Sequence, residues 1–285
     1  MMYDYLFAPF VDYIFLRRAL VACLALSLSC APVGVLLVLR RMSLMGDALS
    51  HSILPGVAIG YLFAGLSLPA MGIGGLVAGI LVALLAGFVA RRTHLREDAS
   101  FVGFYLIALS SGAVIVSLKG SQVDLLHILF GSILAVTPHA LLMIVGIASL
   151  TLVSLALIYR PLIVECFDPQ YMRGLQAKGA LYHNLFIVMV VVNMVAAFQG
   201  LGTLMALGLM MLPAIAARFW ARHLGMFFAL AVGIALLSSV SGLLLSYHFT
   251  WPSGPAIVMI AGFIYLVSLL FGGHGGLLRR SDGHV

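Results

Sequence analysis

Apolar residues run along this chain in long uncharged blocks, at 19–39, 44–66, 69–90, 100–117, 139–159, 182–198, 203–218, 224–247 and 254–271. A helix crossing a bilayer needs about 20 mostly apolar residues. The blocks therefore predict an all-α, polytopic transmembrane helical bundle of nine spans, within a range of eight to ten. The stretch from Asp124 to Val136 is short and interrupted by Gly131, and reads as a re-entrant or outer-surface helix. Residues 1–16 form an interfacial segment, with Phe7, Phe10 and Ile14 at helical spacing and Tyr3, Tyr5 and Tyr13 suited to the headgroup layer. Arg17 and Arg18 ahead of an apolar run imitate a secretory signal. The acidic, aromatic start and the lack of a following soluble region argue against one.

Composition makes lipid the solvent: 63% of the 285 residues are hydrophobic and 8% charged. Soluble domains carry about 25% charged residues. The formal charge of +6 does not point to nucleic acid, since the basic residues sit in short clusters between apolar blocks and not on one soluble face. They sort by side instead. Arg40, Arg41, Arg91, Arg92, Arg96, Arg160, Arg173, Lys178, Arg218, Arg222, Arg279 and Arg280 fall on one side, and Arg17, Arg18 and Lys119 on the other. The positive-inside rule then places the N-terminus outside and the C-terminus, with a flexible tail at 273–285, in the cytoplasm. Cys23 and Cys30, on one helical face, and Cys166, in a polar loop, read as structural. Small residues recur at Gly75, Gly79, Ala83 and Gly87 and at Gly56 and Gly60, which lets neighbouring helices approach closely. No internal repeat or linker divides the chain, so residues 1–285 make one domain.

The chemistry concentrates at the start of the second block. Asp47 and His51 are four apart, so a helix puts both on one face, where a carboxylate oxygen and an imidazole nitrogen can reach one cation. With Ser43 as cap, both lie roughly 6 to 12 Å inside the inner boundary at 1.5 Å per residue. An ionisable group at that depth costs at least about 2.5 kcal/mol unless it faces a cavity or a partner. A hydrogen bond from one to the other, gluing two helices, is the plain structural alternative. Near the outer surface, Asp124, His127, His139 and His248 are candidates for passing a metal inward. His94, His183 and His223 border inner loops and read as interface residues. The stretch from Glu165 to Gly179 carries helix punctuation: Asp168 caps, Pro169 opens, and Gly179 closes a short helix with Lys178 at its negative end. Neither a phosphate-cradling loop, a His-Glu-x-x-His pair nor a Gly-x-Ser-x-Gly elbow is present, so ATPase, intramembrane protease and hydrolase chemistry lack support.

The run Arg40-Arg41-Met42-Ser43-Leu44-Met45-Gly46-Asp47-Ala48-Leu49-Ser50-His51-Ser52-Ile53-Leu54-Pro55-Gly56 resembles the hallmark segment of the ABC-3 family of zinc, manganese and iron importer permeases. Phe198-Gln199-Gly200-Leu201-Gly202-Thr203-Leu204, Met211-Leu212-Pro213-Ala214-Ile215-Ala216-Ala217-Arg218, and Leu245-Ser246-Tyr247-His248 with Pro252-Ser253-Gly254-Pro255 extend the likeness over about residues 17 to 272. The resemblance implies a non-catalytic permease of the metal/vitamin B12 type in a bacterial inner membrane. It implies a homodimer docked to a cytoplasmic ABC ATPase subunit and fed by an extracytoplasmic metal-binding protein. On that likeness Asp47 and His51 coordinate the metal in the path, and residues 165–179, with Asp168, Pro169, Arg173 and Gly174, form the coupling helix. A two-fold axis along the pore would bring two Asp-His pairs to one ion. No permanently bound cofactor is expected; the metal is cargo. The wording of the sequence looks most like the zinc branch, with Mn2+ or Fe2+ as alternatives, because one imidazole and one carboxylate do not select among them. A proton-coupled secondary transporter using the same pair is the rival function, and an intramembrane peptidase ranks last.

Overall fold

Lipid-exposed backbone has no water to bond, so a chain this apolar must satisfy its N–H and C=O groups within each segment. The computed structural model describes residues 8–65, 67–93, 97–118, 136–167, 179–274 and 276–278, and every regular element among them is a helix. In chain order these are α1 (Ala8–Asp12), α2 (Ile14–Leu39), α3 (Met45–Ser52), α4 (Leu54–Ala64), α5 (Leu68–Arg92), α6 (Glu97–Leu118), α7 (Pro138–Phe167), α8 (Gly179–Leu201), α9 (Thr203–Arg218), α10 (Leu224–Phe249) and α11 (Ser253–Phe271). Seven of them, α2, α5, α6, α7, α8, α10 and α11, are long and apolar enough to cross a membrane. The shorter α9, of 16 residues, adds a crossing, and α3 and α4 together add another. Counted so, the described residues agree with the expected bundle of about nine crossings.

Four boundaries differ from the pattern. The block at 44–66 is a broken helix, because Pro55 has no N–H to give to the carbonyl of His51 four residues back. Helix α3 ends at Ser52, and α4 restarts at Leu54. Helix α2 begins at Ile14 and takes in Arg17, whose guanidinium turns back to donate to the Val11 carbonyl at 3.0 Å. Helix α7 continues past 159, through Pro161, to Phe167, since the apolar run Leu162-Ile163-Val164 carries it on and Leu162 is fully buried. Gly179 opens α8 instead of closing a loop helix. Residues 168–178, including Asp168, Pro169, Arg173 and Gly174, lie outside the described residues, as do Asp124, His127 and His94. Two bonds tie residues after α11 to the bundle: His274 N–H donates to the Phe219 carbonyl at 2.8 Å, and Leu277 N–H to that of Leu269 at 2.9 Å.

Helix α2 forms the centre of the bundle, with 78% of its apolar window buried against 22% for α7. It packs against α7, α9 and α10. Buried polar groups pair between helices. Asn193 of α8 donates to Thr151 Oγ1 of α7 at 2.7 Å, and the hydroxyls of Ser27 of α2 and Ser239 of α10 are 3.1 Å apart. Helices α4 and α5 make the closest backbone approach of the small-residue stripes. A Cβ on Gly56 would overlap the carbonyl of Gly74, and one on Gly60 that of Ala70. The contact thus falls one residue before the predicted Gly75, which instead meets the side chains of Ile53 and Val57. Gly87 touches only its own helix's Arg91.

Candidate functional site

The turn into α3 is made by backbone alone. At the end of α2, Arg40 retains helical dihedrals, and Arg41 takes φ +58°. Met42 N–H then reaches the Leu37 carbonyl at 2.9 Å, and Arg41 N–H that of Val38 at 3.1 Å. This pair of bonds is the Schellman stop, here with Arg in the left-handed position usually given to Gly. Ser43 does not cap α3. Leu44 occupies the cap position with helical dihedrals and no side-chain bond, and the Met45 N–H is satisfied by the Met42 carbonyl at 3.1 Å. A serine caps only from an extended residue at the helix boundary.

On α3 the residues Met45, Ala48, Leu49 and Ser52 are buried and hold the helix to the bundle. The opposite face carries Leu44, Asp47 and His51, which share the same side as the spacing requires. His51 Nε2 lies 3.7 Å from Asp47 Oδ1, and their side chains are 35% and 55% exposed. That separation is longer than a hydrogen bond and within reach of an ion pair. It is shorter than the roughly 4.1 Å that two metal–ligand bonds of about 2.0–2.1 Å can span. One ion fits between them. The His51 ring stacks on Tyr105 of α6, with centroids 6.1 Å apart and planes at 29°. Among the described residues no group of three or more His, Cys, Asp and Glu is arranged to hold a metal ion. The pair therefore offers two ligands and leaves the remaining positions of an ion open.

His139 stands exposed at the start of α7, and His248 is exposed at the end of α10 with its ring edge-on to Tyr247 at 5.2 Å. The structure does not bring either into a ligand group with Asp47 and His51. His223 serves α10 as its cap, its Nδ1 accepting from Met226 N–H at 3.1 Å.

A second polar cluster was not legible in the spacing. Arg40, with its side chain 7% exposed, inserts between α7 and α8. Its Nε donates to Cys166 Sγ at 3.1 Å, its Nη1 to His183 Nδ1 at 2.7 Å, and its Nη2 pairs with Glu165 Oε2 at 3.6 Å. The guanidinium also covers the Phe186 ring at 4.6 Å. An arginine can only donate, so His183 Nδ1 is the acceptor. Cys166 and His183, expected in a loop and at an interface, are thus inward-facing partners of Arg40. The residues are 126 and 143 positions away in sequence, which is why no local pattern announced them.

Known proteins resemble this chain along nearly its whole length. The manganese transport system membrane protein MntC of Halalkalibacterium halodurans is 30% identical over 277 residues, spanning 97% of this chain and 94% of that protein. The chelated iron transport system membrane protein YfeD of Yersinia pestis is 29% identical, over 95% of this chain and 90% of its own length. The solved structure of PsaBC from Streptococcus pneumoniae in complex with Fab matches with a TM-score of 0.84 at 28% identity, covering 99% of this chain and all of that one. Residues 12–272 match the ABC 3 transport family, and the chain belongs to that family.

Proposed function

We propose that this chain is the membrane-spanning permease subunit of an ATP-driven importer of a divalent first-row transition metal, with Asp47 and His51 lining the path. The observation that carries the reading is the pair on the open face of α3, 3.7 Å apart with both side chains partly exposed. A carboxylate facing lipid costs at least about 2.5 kcal/mol, so this face belongs against a water-filled seam. A second copy of the chain across that seam would supply another Asp-His pair and complete the coordination of one ion. Two ligands per copy also allow release, which a closed four-ligand site resists.

Manganese comes first as cargo, because relatives along the full length are named for manganese and for chelated iron. Zinc, favoured by the wording of the sequence, receives no support from those names and stays an arm of the test. The N-terminus is assigned outside and the C-terminus to the cytoplasm by the distribution of Arg and Lys. Residues 168–178 face the ATPase, and an extracytoplasmic metal-binding protein delivers the ion. The test is uptake by proteoliposomes holding this chain and its ATPase, with Mn2+, Fe2+ and Zn2+ offered singly through the loaded binding protein. Uptake that requires ATP is expected, with Mn2+ fastest. Uptake driven by a pH gradient through this chain alone, without ATP, would instead establish the proton-coupled rival.

A further inference from the structure

The α2 end, the α7 end and the α8 start meet in one buried knot, and the knot sits between the two regions that the proposed function must connect. Arg40 precedes Asp47 by seven residues, through a turn closed by the Arg41 and Met42 N–H bonds to α2 and by the Met45 N–H bond to the Met42 carbonyl. On the other side, Glu165 and Cys166 lie in the last turn of α7, and His183 and Phe186 lie in the first two turns of α8. These two helices flank residues 168–178. One guanidinium therefore holds both flanks, through an ion pair to α7, a sulfur contact to α7, a 2.7 Å hydrogen bond to α8 and a ring contact to α8.

We propose that Arg40 is the positioning residue that makes α3 and the facing ends of α7 and α8 move as one body, so that displacement of those ends reaches Asp47 and His51. Rigidity is the physical argument. A charge buried to this degree is costly to separate from its partners, and the planar fork keeps its geometry toward three partners at once, which a lysine's single ammonium does not. The proposal rests on the permease reading, because that reading assigns the metal pair and the neighbouring ATPase-facing segment.

The experiment uses the whole complex of this chain with its ATPase in proteoliposomes. Noncanonical amino-acid spin labels replace Leu44, exposed beside the metal pair, and Leu181, exposed on α8, leaving the three cysteines in place. In the wild type the distance between the labels is expected to stay the same with and without nucleotide. In Arg40→Gln it becomes nucleotide-dependent, and metal transported per ATP falls at least tenfold, while equilibrium metal binding stays within twofold. Glu165→Gln gives the same changes in weaker form. A wild-type distance that shifts with nucleotide overturns the proposal, as does an unchanged metal-to-ATP ratio in both variants. Failure of both variants to assemble with the ATPase also overturns it, by reducing the knot to a folding element. If the wild-type complex shows no ATP-dependent uptake, the permease reading fails, and the distance measurement still decides whether the tie is rigid.

Discussion

At the scale of the residue, Asp47 and His51 show how far four-residue spacing goes. It places the two groups on one face, but only packing determines that this face is the open one, because Met45, Ala48, Leu49 and Ser52 take the buried side. Asp47→Ala and His51→Ala are each expected to abolish metal uptake while insertion and assembly with the ATPase persist. Wild-type uptake in both would remove the assignment. Tyr105 holds the His51 ring by stacking. Aromatic pairs of this kind contribute about 0.5–1.5 kcal/mol, or about two- to tenfold in affinity. Tyr105→Leu is therefore expected to weaken metal binding by that factor, whereas Tyr105→Phe keeps it, as read by equilibrium titration of the purified complex.

At the scale of the element, the helix break at Ile53 follows from one missing N–H at Pro55, and it separates α3, which carries Asp47 and His51, from α4. Both halves lie against α6, and α4 also docks closely on α5 through the Gly56–Gly74 approach. Adding side chains there is expected to cost about 1–3 kcal/mol by overpacking. Gly74→Val should thus lower the melting temperature of the detergent-solubilised protein. Gly103→Ala, whose added methyl meets nothing within 4 Å, should leave it unchanged. Equal shifts in both would show that the α4–α5 approach carries no special weight.

At the scale of the whole molecule, the helix ends sort into two sets. Arg40, Glu165 and His183 share one end, and Phe219 and His274 join α9 to the segment after α11. At the other end Tyr13 and Tyr247, at the start of α2 and the end of α10, meet with ring centroids 5.7 Å apart. The proposed ATPase contact at residues 168–178 belongs to this scale, since its effect is read only in the assembled transporter. Arg173→Glu and Gly174→Pro are expected to leave the chain in the membrane and to separate ATP hydrolysis from metal uptake. Full transport with normal ATPase stimulation in both would place the docking contact elsewhere.

The sequence by itself determined the solvent, the helical class, the nine crossings and the shared face of Asp47 and His51. These follow from block length, charge placement and the 3.6-residue turn, all of which act locally along the chain. Only the tertiary structure decided that Arg40 joins Glu165, Cys166 and His183, that Tyr105 backs His51, and that Gly56 meets Gly74 and not Gly75. Each of these is a contact between helices, and the angle and register at which two helices pack depend on every side chain between them, which no local spacing encodes.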